Sequence, residues 1–353
     1  MQSNTCKMRT LLFGLFVLIF MASACHDLPK PEAPPTTPFI YQAPEAFPPF
    51  FDPIDNPTTL EGIALGRKLF YDPILSGDNT QACADCHRQE NAFTDPRPFS
   101  IGIDGLAGPR NSMSLVNIAW QHRLFWDGRA HGLEAQALMP IQDPIEMHES
   151  LDQAVAEIQA RPDYTELFWR AFGTETVDTT LIAKALSQFE RSLISLNSRY
   201  DRWKLGLDSL DKSEMLGMEL FSDPLKGGCA RCHSFGAMFS DFLFRNNGKE
   251  LIPTDLGRFA VSGLPEDKGA FKTPSMRNVE YTAPYMHDGR FATLEEVMEF
   301  YNTGFQLGPH TDPVMFDLAK GRLSEADKSN LIAFLKTLSE PEFLSNPAFS
   351  KPE

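Results

Sequence analysis

Hydrophobic positions along the chain fall into short helical stripes, separated by loops rich in Gly, Pro and Asn. From Thr58 onward, Leu60, Ala64, Leu65 and Leu69 recur at helical spacing, and Asp72-Pro73 ends the run. Further helical stretches lie at 133–139, 151–160 and 179–196. In the last, Leu181, Ala185, Leu186, Phe189, Leu193 and Leu196 form a stripe that predicts a buried face. Ser324-Glu325-Ala326-Asp327 reads as a capping box opening a final helix through Leu338, with Leu331, Phe334, Leu335 and Leu338 inward. Alternating patterns that would signal strands are few, so the expected fold class is mainly α.

The pattern also repeats. Leu65-Gly-Arg-Lys-Leu-Phe-Tyr-Asp-Pro73 has a counterpart in Leu216-Gly-Met-Glu-Leu-Phe-Ser-Asp-Pro224. Downstream, Ser114, Asn117, Asp127, Gly128, Arg129, Leu133 and Glu134 recur at a constant offset of 161 as Ser275, Asn278, Asp288, Gly289, Arg290, Leu294 and Glu295. Each half contains one C-x-x-C-H: Cys83, Cys86 and His87 in the first, Cys229, Cys232 and His233 in the second. This spacing attaches a c-type haem, because two thiols three residues apart reach the two vinyl groups of one porphyrin and the adjacent histidine sits under the iron. The expectation is two cytochrome c-like haem domains in tandem, 58–205 and 206–340, with a tail at 341–353. Two covalently bound haem c groups are the expected cofactors.

Composition narrows the setting. A formal net charge of -15 over 353 residues excludes nucleic acid as a natural partner, since phosphate binding needs a basic surface. Lys7 and Arg9 precede an apolar run, Leu11–Ala22, too short to span a bilayer comfortably, and small residues follow it. Residues 1–24 therefore read as a secretory signal. Ala22-Ser23-Ala24-Cys25 resembles a bacterial lipoprotein signal with Cys25 as the lipidated residue; plain cleavage after Ala24 is the alternative. Cys6 lies in the leader, so no cysteine pair is left for a disulfide. The mature chain is expected in the periplasm or as a membrane-anchored lipoprotein, touching membrane only through the N-terminal lipid. Proline-rich residues 25–57 read as an extended tether whose Phe47–Phe51 end packs onto the body.

The offset also probes the two irons. It carries Pro140 onto Tyr301. Proline cannot ligate iron and a tyrosine phenolate can, so the first iron is expected open and the second closed. Met286 and Met298 are rival ligands for the second.

The chain resembles the bacterial di-haem cytochrome c peroxidase family, including its MauG-type members, from about Thr58 to Leu338. The resemblance rests on both C-x-x-C-H sites, Phe125-Trp-Asp-Gly-Arg-Ala130, Gln136, Pro144-Ile-Glu-Met147, Phe271-Lys-Thr-Pro-Ser-Met-Arg-Asn278 and Thr282-Ala-Pro-Tyr-Met-His-Asp-Gly-Arg-Phe291. It implies a peroxidase that reduces hydrogen peroxide at the first haem with electrons from a small redox protein of cytochrome c or cupredoxin type. Glu146 matches the distal acid–base carboxylate and Gln136 a polar residue of that pocket. Trp126 matches a tryptophan between the haems. Asn111, with the backbone carbonyls of Thr282 and Pro284, matches a calcium site. Homodimers occur in the family.

Two departures stand out. Many members carry a histidine in the loop matching Ser100–Gly108 that blocks the first iron; this loop has none, and the first haem is expected five-coordinate or water-bound. Of the remaining histidines in that half, His122, His131 and His148 are expected in surface or packing roles. Tyr301 stands where methionine is common and where MauG-type members have tyrosine. MauG-type enzymes also use a tryptophan two residues before the second haem motif to oxidise a partner protein through a high-valent state, and Gly227 stands there instead. Two rivals to the peroxidase reading follow: a MauG-type oxidant of a protein, and a non-catalytic electron-transfer cytochrome.

Overall fold

The structure is a computed structural model that describes residues 32–42, 47–318 and 322–353. The leader and Cys25 lie outside the described residues. The longer helices are α1 (Leu60–Tyr71), α2 (Leu133–Gln142), α3 (Leu151–Gln159), α4 (Pro162–Phe172), α5 (Thr179–Ser192), α6 (Lys212–Ser222), α7 (Leu294–Glu299) and α8 (Glu325–Lys336). Strands are two residues long. Arg123–Leu124 pairs antiparallel with Ala130–His131, and Phe244–Arg245 with Phe271–Lys272. The mainly α class is what the sequence led us to expect.

Glycine decides how the helices meet. On α1 the buried face is Gly62, Leu65, Gly66, Leu69 and Phe70, while Leu60 is 49% exposed and Ala64 lies outside. The expected stripe is therefore turned, keeping Leu65 and Leu69 but replacing Leu60 and Ala64 by Gly62, Gly66 and Phe70, because a count of apolar side chains passes over glycine. A Cβ on Gly66 would lie 1.9 Å from the Ala185 carbonyl oxygen, so its absence lets α1 and α5 cross backbone to backbone. The other half repeats the device: a Cβ on Gly217 of α6 would lie 1.9 Å from the Asn330 carbonyl oxygen of α8. α8 opens on the expected box, with Ser324 Oγ accepting from the Asp327 N–H at 3.1 Å.

The 161-residue offset is visible in backbone detail. Asn117 and Asn278 both take left-handed φ, 54° and 58°. Their N–H groups donate to the carbonyls of Leu193 and Leu338, at 2.9 and 3.1 Å. The Leu124–Ala130 pairing recurs as Tyr285–Phe291. Each half has its own apolar core, one including Leu65, Phe93, Phe168 and Phe189, the other Phe221, Phe239, Phe334 and Leu335.

Two segments tie these cores together, and Ala33–Glu353 forms one compact unit. Past α8 the chain returns to the first half, where Phe343 and Phe349 join its core. Tyr71 Oη donates to the Phe349 carbonyl at 2.8 Å, and Arg67 Nε to that of Ser350 at 2.7 Å. The described part of the proline-rich segment lies on the body: Trp120 Nε1 donates to the Pro48 carbonyl at 3.0 Å, and the Arg277 guanidinium lies 5.1 Å from the Phe47 ring centre. Among the described residues, no helix is long and apolar enough to cross a membrane.

Candidate functional site

Both C-x-x-C-H segments make a tight turn that hands its histidine to a backbone carbonyl. His87 Nδ1 lies 3.0 Å from the Phe93 carbonyl oxygen, and His233 Nδ1 lies 3.2 Å from that of Phe239. A carbonyl only accepts, so Nδ1 carries the hydrogen and the Nε2 lone pair is left for a metal. Phe93 and Phe239 both adopt left-handed φ, 56° and 48°, in the turns that bring these carbonyls round. Cys83, Cys86, Cys229 and Cys232 form no disulfide, and before haem attachment burial pushes all four thiols upward in pKa, Cys229 to about 12 and Cys232 to about 11. Neutral, sheltered thiols beside a histidine with one bare nitrogen fit a thioether-linked haem at each motif.

At the second motif a cavity collects Cys229, His233, Met286, Met298 and Tyr301 on its walls. Tyr301 sits on a π-helical turn, Phe300–Gly304, that continues α7. Such turns shift side chains off the regular helical positions and occur often at functional sites. Asn247 Nδ2 donates to Tyr301 Oη at 3.2 Å and approaches Met286 Sδ at 3.7 Å. Burial pushes the phenol up to about 12, the Asn247 hydrogen bond opposing. Asn247 was not legible beforehand, since nothing in its local pattern marks it.

The residues expected at the first motif lie on α2 and the loop after it. Pro140 lies inside α2, one turn beyond Gln136, whose Oε1 is buried without a hydrogen-bond partner among the described residues. Glu146 follows in the next loop, where its N–H donates to the Asp143 carbonyl at 2.9 Å and its carbonyl accepts from Ile103 at 3.0 Å. Its carboxyl acts electrostatically on both Cys83 and Cys86, which places it at this motif. Burial raises its pKa, Asp143 adds to the rise and Arg129 opposes it. The loop Ser100–Gly108 closes on itself through Ile101 and Ala107. His122, His131 and His148 are exposed, and His148 Nδ1 pairs with Asp104 at 2.6 Å.

Trp126 lies where the halves meet. Its indole N–H donates to the Asn111 carbonyl at 2.9 Å, and its ring centre is 6.3 Å from that of His287. Asn111, Thr282 and Pro284 line one cavity. His287 is stacked on Phe271 at 3.5 Å and accepts from Lys249 Nζ at 2.8 Å, a packed and paired position.

Two haem-attachment motifs with prepared histidines in one helical body define a c-type di-haem protein. The comparisons with known proteins agree. Residues 60–209 match the family described as di-haem cytochrome c peroxidase. The chain is 38% identical over 312 residues to the methylamine utilization protein MauG of Methylorubrum extorquens, covering 87% of this chain and 86% of that one. It is 34% identical over 296 residues to the cytochrome c551 peroxidase of Nitrosomonas europaea, covering 82% and 83%. Among solved structures, a MauG-like protein associated with microbial copper homeostasis superposes with a TM-score of 0.82 at 36% identity, covering 89% of this chain and 99% of that one. The chain belongs to the di-haem cytochrome c peroxidase family. It is an oxidoreductase of the peroxidase type and carries two covalently bound c-type haems.

Proposed function

We propose that the protein reduces hydrogen peroxide at its first haem with electrons that enter through its second. The observation that carries this reading is the asymmetry of the two sites: the Glu146 carboxyl acts on the cysteines of one motif, whose half has Pro140 at the repeat position of Tyr301, and Tyr301 lies on the wall of the cavity at the other. Each haem, when bound, supplies the redox-active iron that exchanges electrons with peroxide or with a donor. The protein's part is positional and protonic. Cys83 and Cys86 would anchor the first haem and His87 would hold its iron; Cys229 and Cys232 would anchor the second, with His233 and Tyr301 holding its iron.

Glu146, half-buried, would take a proton from peroxide at the first site and return it to the departing oxygen. Gln136 offers its orphaned amide oxygen and the attached N–H groups to orient peroxide. Overall, one peroxide, two electrons and two protons give two waters. Trp126, hydrogen-bonded to Asn111 at the junction of the halves, is placed to pass electrons between the sites.

The halves are read as tandem cytochrome c-like domains, 58–205 and 206–340, the segment 341–353 packing back onto the first. Asn111 with the carbonyls of Thr282 and Pro284 offers hard oxygen ligands for a calcium ion bridging the halves. The electron donor is read as a small cytochrome c or cupredoxin, and the setting as the periplasm, with Cys25 as lipid anchor. Family homodimers suggest the same state here.

A MauG-type oxidation of a partner protein is the second reading, favoured by Tyr301. Against its tryptophan exit route stands Gly227, where a Cβ would meet the Leu220 carbonyl oxygen at 2.4 Å. Mixing peroxide with the protein and a reduced cytochrome separates the readings. Rapid donor oxidation is expected; a long-lived oxidised protein with poor donor turnover would favour the MauG-type reading, and no response a mere electron carrier.

A further inference from the structure

Lys272 is 2% exposed, in a position where the proposed chemistry gives it nothing to do. Its place in the repeat is informative. The 161-residue offset pairs it with Asn111, and the same offset pairs Trp126 with His287. The contact between the halves is reciprocal in these pairs: the Asn111 N–H donates to the His287 carbonyl at 2.7 Å, and the Lys272 N–H to the Trp126 carbonyl at 2.8 Å. Applied to Thr282 and Pro284, the offset gives Gln121 and Arg123. Lys272 Nζ donates to Gln121 Oε1 at 2.6 Å and to the Arg123 carbonyl at 2.7 Å.

We propose that the Lys272 ammonium is a tethered cation, filling the counterpart of the site that Asn111, Thr282 and Pro284 offer to a free metal ion. The two cradles match in the Pro284 and Arg123 carbonyls, but Gln121 gives its side-chain amide oxygen where Thr282 offers its carbonyl, and Lys272 stands where Asn111 does. Asn111, 6% exposed, spends its amide N–H on the Arg97 carbonyl at 3.0 Å, which leaves its neutral oxygen as an acceptor for a cation from outside. Lys272 brings the charge on its own stem. Burial draws the ammonium down to about 7, and the two short acceptors favour its protonated form. The consequence is a junction with one exchangeable and one covalently tethered cation, so that withdrawing metal leaves the halves joined at Lys272.

The free member of the pair rests on the calcium reading above; the tethered member does not. The test is calcium content of the holoprotein after chelation and back-titration, read with melting temperature. Wild type is expected to bind one calcium ion and K272N two, because asparagine opens the second cradle; N111K should bind none and melt independently of chelator. K272N binding no more calcium than wild type would overturn the proposal. If wild type binds none, the calcium reading fails, and K272N gaining one ion still supports the tethered cation. Should K272N not fold, K272M keeps the length without the charge. A wild-type melting temperature for K272M would then overturn the proposal, and a lowered one, not restored by calcium, would support it.

Discussion

Replacing Glu146 by Gln keeps the side chain's shape and removes only its capacity to exchange a proton. The backbone at this position is pinned from both sides, by the Asp143 carbonyl and by the Ile103 N–H, so the variant should fold as the wild type does. Because burial penalises the ionised carboxyl, removing the charge leaves stability unchanged or slightly raised. The cost falls on chemistry. A positioned acid–base group contributes roughly 10²–10⁴-fold, equivalent to about 3 to 5 kcal/mol of barrier. We expect kcat/KM for peroxide to fall by that factor with haem content intact.

The pH profile carries a second signature. The raised pKa of Glu146 makes wild-type activity fall on the acid side, as the carboxylate protonates above the usual range, and E146Q should lose that limb. Steady-state oxidation of a reduced donor, measured across pH, checks both points. Activity within a few-fold of wild type, with the acid limb retained, would refute the proton-transfer role.

Three further outcomes are expected. Y301F should change the visible spectrum of the second haem and leave the first alone; an unaltered spectrum would remove Tyr301 as a ligand and turn attention to Met286, which shares Asn247 with it. Glu190 is buried, and burial pushes its carboxyl from 4.5 up to about 8. Its contribution to stability is therefore fully present below 4.5 and lost as pH rises through 8. The melting-temperature advantage of E190Q over wild type should grow between pH 5 and 8, and an advantage independent of pH would contradict this. Finally, chelation should lower the wild-type melting temperature by about 5 °C, the scale for losing an ion held at a hundredfold excess over its Kd, without releasing haem; no shift would argue against a bound calcium.

Much of this was legible in the sequence because chemistry and repetition are local signals. Two C-x-x-C-H motifs declare the cofactor, and the helix opened at Ser324 follows from a four-residue capping pattern. What escaped was tertiary. The buried face of α1 is set by Gly62 and Gly66, residues that a hydrophobic count ignores, because the partner helix needs room more than it needs apolar surface. Asn247 reaches Tyr301 from a loop 54 residues away, a contact no periodicity encodes. The return of Phe343 and Phe349 into the first core depends on where α8 ends in space. Lys272 lies between: its pairing with Asn111 is written in the offset, but its meaning needs the Gln121 and Arg123 oxygens to be seen around its ammonium.

The central claim, that the unlike surroundings of the two haems divide peroxide chemistry from electron entry, is tested most directly by counting electrons. Peroxide is titrated anaerobically into the holoprotein with a reduced small cytochrome in excess, and donor oxidation is followed optically. Rapid oxidation of two donor equivalents per peroxide is expected, abolished on the fast timescale in E146Q. Slow or sub-stoichiometric donor oxidation, with the protein left in a persistent oxidised state, would contradict it.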